Sequence, residues 1–297
     1  MRIAIVQTNP VPGDFDGNCR QIIDGIRSAG EADLIVAPEL SIPGYLCRDA
    51  MLTEGFVDAN LAALGKLLDE SKCFPSVTIF VGYAERNATG CGKPLFNSAA
   101  VVRNGMRIAN YRKHLLPFYD VFDEGRYFEP GRDLCVVDMC GAKFGVVICE
   151  DIWMDKMVSE YLYDDNPVEA YRRLGVCNLI SLNSSPYVFG KPHRRQQMIR
   201  DVAKLGKPSR SASQAVERWI DAHQPEHAGK IVNHIVTNGH YLRTLPHGAP
   251  VFDLEGLSVC VADCMPQSNQ VGNGLQPIFW PDGSLTYSWE WRGAVLL

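Results

Sequence analysis

Nowhere does this chain of 297 residues run to about 18 consecutive apolar side chains, the length that a membrane-spanning helix needs. Its first ten residues, MRIAIVQTNP, carry one positive charge and a very short apolar run, without the long hydrophobic stretch of a secretory signal. Both absences predict a cytoplasmic chain with no membrane partner. Ten cysteines are present but no CxxC pair. That excludes the common zinc-finger and dithiol patterns and leaves most of these thiols reduced, as small core residues. Neither a Walker A loop nor a GxGxxG fingerprint occurs, so no P-loop nucleotide site and no dinucleotide oxidoreductase is predicted. No cofactor and no metal are expected. Positive charge is also in short supply: 29 Lys and Arg against 34 Asp and Glu give a net charge of -5, which a nucleic acid would repel. The sharpest basic cluster, His193, Arg194 and Arg195, is short. It reads as a solvated helix face or a local anion site.

What is there is ordinary globular composition, 46% hydrophobic and 21% charged. Ile3 to Gln7, Leu34 to Ala37, Val77 to Val81, Phe144 to Ile148 and Asn178 to Leu182 are short apolar runs that predict buried strands. Helical spacing marks Asn18 to Arg27, through Ile22, Ile23 and Ile26, and Leu52 to Leu68, through Leu61, Leu64 and Leu68. Asp155 to Leu174 and His193 to Leu205 also read as helices, the former interrupted at Asn166-Pro167. Asn104-Gly105 between Ala99–Val102 and Met106–Ala109 is a two-residue hairpin signal. Strands alternating with helices around one hairpin predict an α/β fold, a mixed sheet covered by helices. No Pro-, Gly- or Ser-rich linker divides the first 205 residues. After Pro208 the texture becomes polar and weakly periodic, with a strand suggested at Val232 to Val236 and turn chemistry at Pro281-Asp282-Gly283.

Three polar residues stand at the ends of expected strands. Cys149 follows Gly145 to Ile148 and precedes Glu150 and Asp151. A nucleophile at a strand end is exposed on a sharp turn yet held by rigid backbone; a buried core thiol is the alternative. Glu39 follows Leu34 to Pro38, where a helix cap or surface carboxylate is the alternative, and Lys113 follows the hairpin, where a solvent-directed lysine is the alternative. Together they make chemical sense. A lysine beside a cysteine favours the thiolate and steadies an oxyanion. A glutamate within reach takes and returns protons. The course would be a covalent thioester, loss of ammonia or amine, then hydrolysis.

Pro38-Glu39-Leu40, Tyr111-Arg112-Lys113 and Ile148 to Trp153, in that order, resemble the nitrilase superfamily of carbon–nitrogen hydrolases. The stretches Tyr111 to Pro117, Val121 to Glu124, Arg126 to Phe128 and Asn183 to Tyr187 followed by Gly190-Lys191 are similar, more narrowly, to the glutaminase domains of glutamine-dependent NAD synthetases. The resemblance runs from Met1 to about Lys207. It implies an α-β-β-α sandwich, with Glu39 as general base and acid, Lys113 steadying the transition state, Cys149 as nucleophile and Glu124 orienting the lysine and substrate. It implies Tyr45 and Tyr119 as pocket aromatics, Ser185 at the amino-acid end of the substrate, and Lys191 or Arg195 facing an α-carboxylate. Trp153 is expected in the core, and Glu150 and Asp151 are expected to point away from the sulfur or be paired.

The implied reaction is glutamine to glutamate plus ammonia. Alternatives are a nitrilase or amidase acting on another small amide, and a catalytically silent regulatory homologue. Residues 1–207 form the hydrolase core, and residues 208–297 are a divergent part completing the same domain. No SGGxDS loop of a synthetase occurs, so ammonia would pass to a synthetase partner. The resemblance also implies a homodimer or larger homo-oligomer, paired through the segment after Asp155 with Met157, Val158, Leu162 and Tyr163.

Overall fold

The computed structural model describes residues 1–45, 47–119, 122–153, 166–176 and 178–185, together with four strands from residue 258 onward. In chain order, strand β1 (Ile3–Gln7), helix α1 (Phe15–Ser28), β2 (Leu34–Val36), α2 (Glu54–Ser71) and β3 (Thr78–Arg86) lead into the hairpin β4 (Leu95–Arg103) and β5 (Met106–Arg112). A single turn, α3 (Glu124–Tyr127), precedes β6 (Val136–Met139), β7 (Ala142–Ile148), α4 (Pro167–Arg173) and β8 (Asn178–Asn183). The later strands are β9 (Ser258–Asp263), β10 (Gln276–Phe279), β11 (Leu285–Ser288) and β12 (Gly293–Leu296).

Apart from the antiparallel pair β10-β11, these strands build two stacked sheets rather than the one mixed sheet that periodicity suggests. The first has the order β12-β1-β2-β3-β4-β5 and the second β6-β7-β8-β9. The alternation along each strand shows why. Ile5, Val36, Phe80 and Val101 of the first sheet meet Phe144, Val146, Ile148, Ile180 and Leu182 of the second in one apolar cluster. Their neighbours Val6, Ile35, Ile79 and Val81 pack on Ile22 and Ile26 of α1 and Leu64 and Leu67 of α2. On the far face of the second sheet, Val147 and Leu179 pack on Val168 and Tyr171 of α4. Period-two strands with both faces apolar therefore give four layers, α-β-β-α.

Asp14 caps α1 by accepting the Gly17 N–H at 2.9 Å. Asn166 caps α4 in the same way, on the Glu169 N–H at 3.0 Å, so Pro167 opens this helix. The Asn104-Gly105 turn has φ of 47° and 79°, the doubly left-handed turn the dipeptide predicts. A second such turn, Cys140-Gly141 with φ of 50° and 77°, joins β6 to β7. Strand β9 pairs parallel to β8, and β12 pairs antiparallel to β1. The segments suggested at His193 to Leu205 and Val232 to Val236, the turn at Pro281-Asp282-Gly283, and residues 155–165 of the helix expected over Asp155 to Leu174 lie outside the described residues; the rest of that helix is α4. Among the described residues, no helix is long and apolar enough to cross a membrane.

Candidate active site

Glu39 is delivered by a tight turn at the end of β2. Its successor Leu40 has φ of 45°, and the turn lies directly on β3. The Gly82 N–H donates to the Pro38 carbonyl at 3.2 Å, and the Gly82 carbonyl accepts from the Ile42 N–H at 3.1 Å. Only glycine fits there, because a Cβ would stand 2.3 Å from the Leu40 nitrogen and 2.5 Å from the Pro38 oxygen. Lys113 comes one residue after β5 and is pinned through its N–H to the Asn97 carbonyl at 2.8 Å. Glu124 begins α3, with its N–H on the Pro117 carbonyl at 3.2 Å. Cys149 comes directly after β7 with φ of 43°, opening a 3-10 turn to Ile152. Such a backbone is costly for a residue with a Cβ, and it concentrates where geometry is functional.

The side chains converge. The Lys113 ammonium donates to Glu39 Oε1 and to Glu124 Oε1, each at 2.7 Å. Lys113 and Glu39 are wholly shielded from solvent and Glu124 nearly so. Asn97 Nδ2 donates to Glu39 Oε1 at 2.8 Å and to Glu124 Oε2 at 3.3 Å. The Tyr45 hydroxyl donates to Glu124 Oε1 at 2.5 Å. Cys149 is buried, with Sγ 3.6 Å from Ser185 Oγ, and the neighbouring Ser184 hydroxyl donates to the Glu39 carbonyl at 3.0 Å. Two carboxylates around one ammonium are an expensive arrangement in a dry interior, and hydrogen bonds from Asn97 and Tyr45 offset part of that cost.

This environment sets the protonation states. Burial raises the Glu39 carboxyl to about 7, against the pull of Lys113 and with a further push from Glu124. A carboxyl poised there can both lose and gain a proton near neutral pH. Burial disfavours the Lys113 ammonium, but Glu124 and Glu39 outweigh it and hold its pKa well above the usual lysine value. The Cys149 thiol is pushed up, by burial first and Glu39 next, with Lys113 opposing. Here the structure corrects the expectation that Lys113 leaves Cys149 with a depressed pKa. The lysine acts in the predicted direction, but desolvation wins. Burial thus favours the neutral thiol over the thiolate.

Of the expected substrate residues, Tyr45, Tyr119 and Ser185 border this centre. Phe122 joins the two tyrosines edge-on, at 6.1 Å from Tyr45 and 5.5 Å from Tyr119. The Tyr119 hydroxyl donates to Glu150 at 2.9 and 3.1 Å. Lys191 and Arg195 lie outside the described residues. Glu150 and Asp151 are both buried and both hydrogen-bonded, Asp151 by the Tyr111 hydroxyl and by backbone N–H groups. Trp153 packs partly buried against the α4 cluster. Sequence reasoning missed Asn97. Its signal was a lone amide inside the apolar run Leu95 to Val102, since buried polar residues in such runs have partners to serve.

Residues 2–166 match the family described as carbon–nitrogen hydrolase. A glutamine-dependent NAD(+) synthetase of Thermotoga maritima is 38% identical over 205 residues, which are 67% of this chain and 32% of that protein. The structure of the glutamine-dependent NAD+ synthetase from Acinetobacter baumannii, in complex with adenosine diphosphate, aligns with a TM-score of 0.59 at 34% identity, over 69% of this chain and 36% of that one. The chain thus spans about a third of the length of the synthetases it matches. An amidase from Nesterenkonia sp. AN1 aligns over 100% of this chain and 92% of its own, with a TM-score of 0.61 and 15% identity, a likeness of fold alone.

Proposed function

The chain belongs to the carbon–nitrogen hydrolase family, and from that premise we propose that it hydrolyses the side-chain amide of glutamine through Cys149, Glu39 and Lys113. The observation that carries this reading is the buried ammonium of Lys113, 2.7 Å from both Glu39 and Glu124, with Ser184 on the Glu39 carbonyl and the adjoining Ser185 on the Cys149 sulfur. Glu39 takes the proton of the Cys149 thiol, and the sulfur attacks the amide carbon. The Lys113 ammonium offsets the negative charge that develops on the amide oxygen. Glu39 returns the proton to the departing nitrogen, ammonia leaves, and a thioester to Cys149 remains. Water then gives a proton to Glu39 and its oxygen to the acyl carbon, releasing the acid and the thiol. Glu124, fixed by Tyr45 and Asn97, keeps the lysine aimed during both halves.

Glutamine is favoured among amides by the likeness to glutamine-dependent synthetases at 38% identity. Tyr45, Tyr119 and Ser185 are assigned to its binding, with Lys191 or Arg195 meeting the α-carboxylate. The ammonia would be taken up by a synthetase activity. The pairing of β9 with β8 and of β12 with β1 supports residues 208–297 completing the same domain as residues 1–207. The test is ammonia release from glutamine and from a panel of small amides by the purified chain. Release from glutamine above the panel, lost in Cys149→Ala, supports the reading. Release from another amide alone moves the substrate, and silence across the panel refutes it.

A further inference from the structure

We propose that Asp151 is the positioning residue that sets Lys113 against Cys149, by tying the two sheets together through one buried carboxylate. This rests on the hydrolase reading above. Lys113 leaves the six-stranded sheet at the end of β5, and Cys149 leaves the four-stranded sheet at the end of β7. No strand pairing joins β5 to β7, so the ladders do not fix one residue relative to the other.

Asp151 makes that link. Its Oδ1 accepts the backbone N–H groups of His114 at 3.2 Å and Leu115 at 2.9 Å, the two residues after Lys113. Its Oδ2 accepts the N–H of Ile148 at 2.8 Å, the residue before Cys149. The same oxygen accepts the Tyr111 hydroxyl at 2.9 Å, from two residues before Lys113. The residue is 1% exposed. The bond to Ile148 also closes the turn that holds Cys149 at φ of 43°. The Tyr111 ring stacks on His114 at 5.4 Å, which stiffens the lysine side of the link. Burial raises the Asp151 carboxyl above the usual aspartate value, while the Leu115 and Ile148 N–H groups oppose it. Asparagine in its place would present an amide N–H to one of these N–H donors and force the two segments apart. A shift of about 1 Å in a reacting group costs on the order of a hundredfold in rate.

The experiment compares the wild-type chain with Asp151→Asn and Tyr111→Phe. Each sample is titrated for Cys149 by alkylation and peptide mapping, so that turnover is counted per intact site. For Asp151→Asn we expect kcat on glutamine to fall at least about thirtyfold with KM within about threefold, as lost alignment requires. The pH dependence of Cys149 alkylation should shift, because Lys113 and Glu39 no longer face the sulfur in register. Tyr111→Phe removes one of the four bonds and should lower kcat by about three- to tenfold. It decides the matter if Asp151→Asn does not fold. A variant that only melts earlier, with kcat per titrated Cys149 and the alkylation profile unchanged, overturns the proposal. The alkylation profile needs no turnover, so it tests the role of Asp151 even if the wild-type chain releases no ammonia from glutamine, a result that would count against the hydrolase reading instead.

Discussion

Replacing Glu39 with glutamine keeps the shape of the side chain and its capacity to accept from Lys113 and Asn97, but removes the proton acceptor and one buried negative charge. The two losses have opposite consequences. Without the base, turnover of any amide should fall by about 10²- to 10⁴-fold. Stability should move the other way. Burial lifts the Glu39 carboxyl from 4.5 to about 7. Between those values the folded chain keeps a proton that the unfolded chain has lost, so stability falls as pH rises through the window. The full shift corresponds to about 3 kcal/mol, at about 1.4 kcal/mol per unit. Glutamine carries no such cost, and Lys113 retains Glu124 as its partner at 2.7 Å. Glu39→Gln should therefore be more stable than the wild-type chain by up to about 3 kcal/mol near pH 8, with the difference nearly gone near pH 4.5. Urea unfolding at both pH values, beside an ammonia assay, measures the pair of effects. A variant that loses stability at pH 8, or that keeps turnover within about threefold of wild type, would refute this account of Glu39.

Three further outcomes follow from the same geometry. Glu124→Gln should keep the far-ultraviolet circular dichroism of the wild-type chain and lower kcat/KM by about tenfold or more if the carboxylate aims Lys113, which it holds at 2.7 Å; a loss under threefold would remove its role. Asn97→Leu deletes a hydrogen bond that lowers the Glu39 carboxyl, so the acid limb of the pH–rate profile should move to higher pH, and an unmoved limb would contradict the link. Gly82→Ala places a Cβ 2.3 Å from the Leu40 nitrogen, which should cost about 1–3 kcal/mol in thermal or urea unfolding and displace Glu39; unchanged stability and activity would show that the turn can yield.

Glu39 and Cys149 stood out because each breaks an apolar run at the point where a strand ends; Lys113 follows the mixed strand Met106–Arg112 and stood out only because the three motifs occur in order. The layers were less legible. Runs such as Ile79 to Val81 are apolar at every position, so periodicity cannot say that Phe80 meets a second sheet while Ile79 and Val81 meet helices. Asn104-Gly105 advertised its hairpin, whereas Cys140-Gly141 adopts the same backbone with a residue that has no turn preference. The partnership of β1 with β12 spans nearly the whole chain, and no local signal reports a pairing of that range. Asp151 stayed hidden for another reason. Three of its four donors are backbone N–H groups, which every residue but proline carries and no sequence displays. Burial also reversed one electrostatic expectation, since Lys113 beside Cys149 was legible but the dryness of the pocket was not.

The central claim is that Cys149 carries the acyl group between two half-reactions. Rapid quenching of the chain during turnover of glutamine, followed by mass spectrometry of the intact protein and its peptides, tests it directly. The account predicts an adduct with the mass of glutamine less ammonia, confined to the peptide holding Cys149 and absent from Cys149→Ala. Ammonia release that persists in Cys149→Ala, or an adduct on any other residue, would contradict it.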